Sequence, residues 1–131
     1  MLIPLGPGGN REYRPAVFNL AEDAPTHEPL CTAPANAILL FDGVFLLRPE
    51  LIEQWDFSIF IEVDFSVAVP RAVLRDVTRN QRQWDTNTRR AQYERRYVPG
   101  QQMYLHAVHP RKRADVVVDN NDFRDPKIIR K

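Results

Sequence analysis

Between Arg71 and Arg96 the chain carries eight arginines, no lysine and three acids, a local excess of five positive charges. Guanidinium groups fork onto phosphate oxygens and stay charged at any working pH, so this density suits a lid that closes over a nucleotide. Arg71 and Arg75 are four residues apart and share one face of any helix drawn through them. Arg79 and Arg82 carry the basic run onward. Two other uses compete for the same residues: tracking a nucleic-acid backbone, or forming a solvated helix face. The second chemical feature is Asp42, followed by Gly43 at the end of the apolar run Ala37-Ile38-Leu39-Leu40-Phe41. Ligands in open parallel sheets sit beyond the carboxyl ends of strands, where a carboxylate can hold Mg²⁺ through water beside a transferring phosphate. The competing reading is that Asp-Gly is only a turn. The third feature is Gly6-Pro7-Gly8-Gly9, which is not a phosphate cradle. Such a loop needs the spacing GxxxxGK(S/T) after an apolar strand, and neither is present. His27, His106 and His109 form no triad or zinc set with Cys31.

These residues need elements to position them. Residues 1–16 read as a turn-rich opening and 20–36 as a proline-rich loop, with an edge strand near Ala16–Asn19. Ala37–Phe41 reads as a strand buried on both faces, because its apolar residues are continuous. Arg48–Gln54 predicts a short helix with proline in its first turn, and Phe57–Val63 a second strand. Asp64 is placed to cap a helix from Phe65 to Arg79, with Pro70 near its first turn. Residues 80–96 predict an Arg-rich helix with a mobile approach, Gly100–Val108 a short helix stopped by Pro110, and Ala114–Asp119 a third strand. The polar tail after Asn120 is expected to fray. Strands alternating with helices at these lengths predict an α/β fold with a parallel sheet.

The composition sets bounds on class. With 131 residues, 44% hydrophobic and 27% charged, the chain has material for one packed domain. A formal net charge of +1 excludes a uniformly polybasic protein. A single cysteine excludes an internal disulfide and fits a reducing compartment. The longest apolar stretch is too short to cross a bilayer, and the first residues lack the pattern of a signal peptide. These features predict a soluble cytoplasmic protein.

Taken in order, several segments resemble uridine kinases and their relatives in the P-loop nucleoside kinase and phosphoribulokinase group. They are the run from Asn36 to Leu51, WDFSIFIEVDFSVAVPRAVLRD at 55–76, AQY at 91–93 with YVP at 97–99, and HPRKRADVVVD at 109–119. The resemblance spans Tyr13 to Asp119. It implies one partial kinase-like domain. Residues 1–36 would be a substrate-side segment, 37–79 a strand-helix-strand-helix core, 80–110 an Arg-rich helical lid, and 111–131 the last strand and tail. It implies that Arg71, Arg75 and Arg82 reach nucleotide phosphates and that Asp42 lies on the Mg²⁺ side. Phe18, Asn19, Gln92 and Tyr93 would line the substrate pocket. Mg²⁺, ATP and a nucleoside or similar hydroxyl acceptor are the implied cofactors and partners, with no direct metal ligand assigned.

The departures from the family are specific. Its Tyr-Asp pair is Phe18-Asn19 here, with Asp23 at the position of a following histidine, which leaves the acceptor open. The family's phosphate-loop strand and its catalytic carboxylate have no counterpart before Tyr13, although Met1 is where an independent reading frame would start. The resemblance therefore implies a truncated kinase, inactive alone, with sheet edges exposed to self-association. A non-catalytic remnant that binds nucleotide, nucleic acid or a partner chain through the Arg-rich segment is the alternative.

Overall fold

A computed structural model describes residues 2–6, 8–19, 22–79 and 85–130, with the Arg79 side chain outside the description. The chain divides into two compact units, Met1–Val44 and Phe45–Lys131.

The first unit is built of small pieces. Helix α1 (Leu2–Leu5) is followed by four two-residue strands: β1 (Glu12–Tyr13), β2 (Phe18–Asn19), β3 (Ala24–Pro25) and β4 (Cys31–Thr32). β1 pairs antiparallel with β4, and β2 with β3. The glycine-rich opening closes a tight turn after α1, in which the Gly9 N–H donates to the Gly6 carbonyl at 3.0 Å. A Cβ at Gly9 would lie 2.1 Å from the Pro4 carbonyl oxygen, so only glycine fits there. The run Ala37–Phe41 is not a strand. It belongs to no sheet among the described residues, and Ile38 and Leu40 are 94% and 92% exposed. Its apolar continuity satisfies the pattern of a doubly buried strand, but a strand exists only with a neighbour to pair with.

The second unit holds the larger sheet. Helix α2 (Pro49–Ile52) has Pro49 at its start, as the sequence predicts. Strand β5 (Ile59–Glu62) leads into α3 (Phe65–Arg79), whose bounds match the predicted helix. The Asp64 carbonyl accepts the first bonds of α3, from the N–H groups of Val67 and Ala68. Pro70 lies in the second turn, where it forfeits the bond its N–H would have given Ser66. After residues 80–84, helix α4 (Thr86–Gln92) passes without a break into a π-helical turn, Tyr93–Tyr97, and then into α5 (Val98–Val108). Asp85 caps α4, its carboxylate accepting from Asn87 and Thr88 N–H at 2.9 and 3.0 Å. His109, in the left-handed region at φ 52° and ψ 54°, ends α5 and turns the chain into α6 (Pro110–Arg113).

Strand β6 (Val116–Asp119) pairs parallel with β5, and β7 (Lys127–Arg130) pairs antiparallel with β6. The sheet order is β5-β6-β7, so the sheet is mixed where a parallel one was expected, and the tail forms its outer strand. The core lies beneath the parallel pair. Leu47, Val108, Ala114 and Val117 are buried together, with Trp55, Phe60 and Tyr104 packed on them. On α3, Val69 and Val73 stand one turn apart and both are buried. The polar tips of the aromatics serve the backbone: Leu47 N–H donates to the Tyr104 hydroxyl at 3.1 Å, and the Trp55 indole N–H to the Leu46 carbonyl at 2.8 Å.

Candidate functional site

Where α3 ends and α4 begins, a carboxylate is surrounded by donors. Asp76 Oδ2 accepts from Arg89 Nε at 2.7 Å, from Arg89 Nη2, and from the Tyr93 hydroxyl at 2.8 Å. Asp76 Oδ1 accepts from Arg75 Nε at 3.3 Å. Arg75 Nη2 also reaches the Tyr93 hydroxyl at 3.5 Å, and Arg89 Nη1 donates to Gln92 Oε1. The Arg89 guanidinium lies over the Tyr93 ring, 5.2 Å from its centre. Two arginines and one aspartate leave the cluster with a net positive charge.

Its members differ in how firmly they are held. The Asp76 and Arg89 side chains are only 13% and 18% exposed, whereas Arg75 is 55% exposed and makes the longest contacts of the set. The inner pair is a closed, charge-assisted joint between two helices. Arg75 is tethered to that joint and presents its remaining guanidinium edge to solvent.

The ionisation of the cluster follows from this geometry. Burial alone would raise the Asp76 carboxyl, but hydrogen bonds from Arg89, Tyr93 and Arg75 outweigh it and hold the group below its ordinary value. Burial, then the hydrogen bond to Asp76, pushes the Tyr93 phenol up. The bond to Asp76 keeps Arg89 protonated still further into the alkaline range. At neutral pH the cluster is therefore fixed as carboxylate, guanidinium and neutral phenol.

Of the sequence-predicted site residues, all but Arg82 fall among the described residues. Arg75 and Tyr93 meet directly, and Gln92 joins them through Arg89, so three predicted residues share one network. Arg71, one turn before Arg75, has a different task. Its Nη1 donates to the Asn120 carbonyl at 2.8 Å and its Nη2 to the Asn121 carbonyl, with Phe123 stacked 5.4 Å away. It ties α3 to the turn after β6. Arg82 lies outside the described residues. Asp42 is exposed on irregular chain in the first unit, with no strand leading to it. Phe18 and Asn19 form β2 in that unit, and neither lines its cavity of about 390 Å³, whose wall includes Arg11, Tyr13 and Ile38. Among the described residues no group of three Asp, Glu, His or Cys is placed to hold a metal ion. No helix among them is long and apolar enough to cross a membrane.

Asp76 and Arg89, the centre of the network, were not among the site residues expected from the sequence. The available signal was the Arg75-Asp76 dipeptide at the end of a helix, with Arg89 and Tyr93 one turn apart on the next.

Uridine kinases of Salmonella typhimurium (strain LT2), Salmonella enteritidis PT4 and Salmonella newport are each 31% identical to this chain over 104 residues. The match covers 78% of this chain and 46% of each kinase, so the chain spans about half the length of these curated relatives. No family model matches, and no solved structure matches. The chain thus has a distant similarity to uridine kinases, at the level of a kinase-like protein.

Proposed function

We propose that this chain is the phosphate-gripping side of a uridine-kinase-like, ATP-dependent phosphotransferase, with Arg75 as the residue that meets the nucleotide phosphates. The observation that carries this reading is the Arg75–Asp76–Arg89–Tyr93 network, lying within a sequence 31% identical to uridine kinases. Phosphoryl transfer depends on positioning and on neutralising charge. A guanidinium anchored on one edge and exposed on the other is suited to both tasks. Asp76 and Tyr93 orient Arg75, and Arg89 fixes Asp76 while bracing α4 against α3. Arg82 falls in sequence between α3 and α4, and we assign it to the same lid.

The acceptor in this reading is a nucleoside or another small hydroxyl compound, and ATP with Mg²⁺ is the donor. Asp42, Phe18 and Asn19 remain its candidate Mg²⁺-side and substrate-side residues. The 131 residues contain no GxxxxGK(S/T) loop. We therefore expect them to bind nucleotide without turning it over, because arginines alone do not hold three phosphates in line. Calorimetric titration of the chain with MgATP tests the reading. Binding that weakens about tenfold in Arg75→Ala supports it, since one charge-assisted contact is worth roughly that factor. Nucleoside-dependent ADP release by the chain would overturn the inactive part, and no ATP binding at all would overturn the whole.

A second reading has an observation of its own. Arg90, Arg95 and Arg96 are exposed, and Arg96 stacks 5.9 Å from the Tyr97 ring centre, an arginine–aromatic pairing that suits single-stranded nucleic acid. Salt-sensitive RNA binding lost in Arg90→Ala/Arg95→Ala/Arg96→Ala would favour it. Arg89 is left out of that test because it is committed to Asp76.

A further inference from the structure

Within the first unit, the turn after α1 and the chain that follows β4 enclose a surface cavity of about 390 Å³. That volume falls in the range of small-molecule sites. Its wall is mostly apolar. Leu5, Pro34, Ile38 and Leu39 stand in it beside the backbone of the glycine turn, where no side chain keeps a ligand away. Among its described lining residues Arg11 alone carries a charge. The Arg11 backbone is held at both ends: its N–H donates to the Pro4 carbonyl at 2.8 Å, and its carbonyl accepts from Ala33 N–H at 2.9 Å. It occupies the left-handed region at φ 64°, a conformation that costs a non-glycine residue energy and that these two bonds maintain. The adjacent acid, Glu12, is occupied by Asn10, whose amide donates to its carboxylate at 3.0 Å and whose carbonyl accepts its N–H at 3.1 Å. None of the ion pairs among the described residues includes Arg11.

We propose that this cavity binds a small amphipathic anion, a carboxylate or phosphate carried on an apolar body, with its head group on Arg11 and its body against Leu5, Ile38 and Leu39. Both halves of such a ligand are needed. A bare inorganic anion would leave the apolar wall wet and gain one exposed ion contact, which is worth little in water. A neutral apolar molecule would cover the wall but dehydrate the guanidinium without giving it a partner. A cation would find no carboxylate among the described lining residues. An anion with an apolar body satisfies the charge and removes the wall from water in one step. This site uses neither the Arg75 network nor ATP, so it stands or falls separately from the proposed phosphotransferase.

Amide NMR titration of the purified, isotope-labelled chain tests this with hexanoate, hexyl phosphate, hexan-1-ol and inorganic phosphate. Hexanoate and hexyl phosphate are expected to shift the amides of Gly8, Gly9, Arg11 and Ile38, and the tighter of the two identifies the head group. Hexan-1-ol is expected to bind about tenfold more weakly than that anion, and inorganic phosphate more weakly still. Arg11→Asn removes the charge with a residue that tolerates the left-handed backbone, and should erase the preference for the anion over hexan-1-ol. Arg11→Lys should keep it. Ile38→Ser should weaken the anion and hexan-1-ol alike and leave the preference unchanged. Should the Asn variant lose its native spectrum, raising the ionic strength of the wild-type titration makes the same comparison, and the preference must then shrink. Several results overturn the proposal: hexan-1-ol binding as tightly as the anions, inorganic phosphate binding as tightly as hexyl phosphate, or a preference that survives Arg11→Asn or high salt. So do shifts confined to other residues, or no binding at millimolar ligand.

Discussion

Arg89 and Asp76 join α3 to α4: the guanidinium places both Nε and Nη2 on one carboxylate oxygen across thirteen residues of sequence. Asp76→Asn takes from the part-buried Arg89 guanidinium its carboxylate partner and leaves it the hydrogen bond to Gln92. Asp76→Asn is therefore expected to destabilise the second unit by about 1–3 kcal/mol, the range for a charge-assisted hydrogen bond. Urea denaturation followed by far-UV circular dichroism measures this. Unchanged stability would show that the two helices are held together by other contacts.

The same joint sets a pH window. The Asp76 carboxyl is lowered from 3.8 in the folded chain, so its contribution is fully present above that value and is lost as pH falls through the lowered one. The Tyr93 phenol is raised from 10.0, so its contribution is present below 10.0 and is lost as pH rises through the raised value. Thermal melts across pH should show a plateau between these limits. Asp76→Asn should flatten the acid limb and Tyr93→Phe the alkaline one.

Arg71 and Arg75 look equivalent in sequence, one turn apart on α3, and are expected to behave oppositely. Arg71→Ala removes two bonds to carbonyls and a stack on Phe123, and should lower stability by about 1–3 kcal/mol. Arg75→Ala removes an exposed side chain with long contacts, and should change stability by less than about 0.5 kcal/mol while weakening MgATP binding. Parallel melts and titrations of the two variants separate brace from ligand. Equal losses of stability would contradict the division.

Leu47 tests the core. It is buried among Val108, Ala114 and Val117, and its N–H is satisfied by the Tyr104 hydroxyl. Leu47→Ala is expected to cost about 2–4 kcal/mol through lost burial and the cavity left behind. Tyr104→Phe should cost about 1 kcal/mol, the worth of one hydrogen bond. Denaturation midpoints check both, and near-zero effects would place the core elsewhere.

How far the sequence could be read depended on whether the deciding partner was local. Helix α3 was legible because Asp64 and the spacing of its valines are near-neighbour signals. Strands β5 and β6 were legible from short apolar runs with turn residues at their ends. Strand β7 was not, because Lys127-Ile128-Ile129-Arg130 looks like a polar tail until β6 is beside it. The run 37–41 failed in the opposite sense: it has the composition of a buried strand but belongs to no sheet among the described residues. At the candidate site, Arg75, Gln92 and Tyr93 could be picked out as residues. Asp76 and Arg89 are thirteen positions apart on separate helices, and only tertiary structure shows that they meet.

One hydrogen bond in the core also supplies a spectroscopic probe. The chain has two tryptophans, Trp55 and Trp84, and the Trp55 indole is half-buried with its N–H on the Leu46 carbonyl. A Trp84→Phe chain would emit from Trp55 alone. Its emission maximum would then move to longer wavelength when the Leu46–Leu47 segment leaves the core, so one fluorescence titration would follow the second unit without a label.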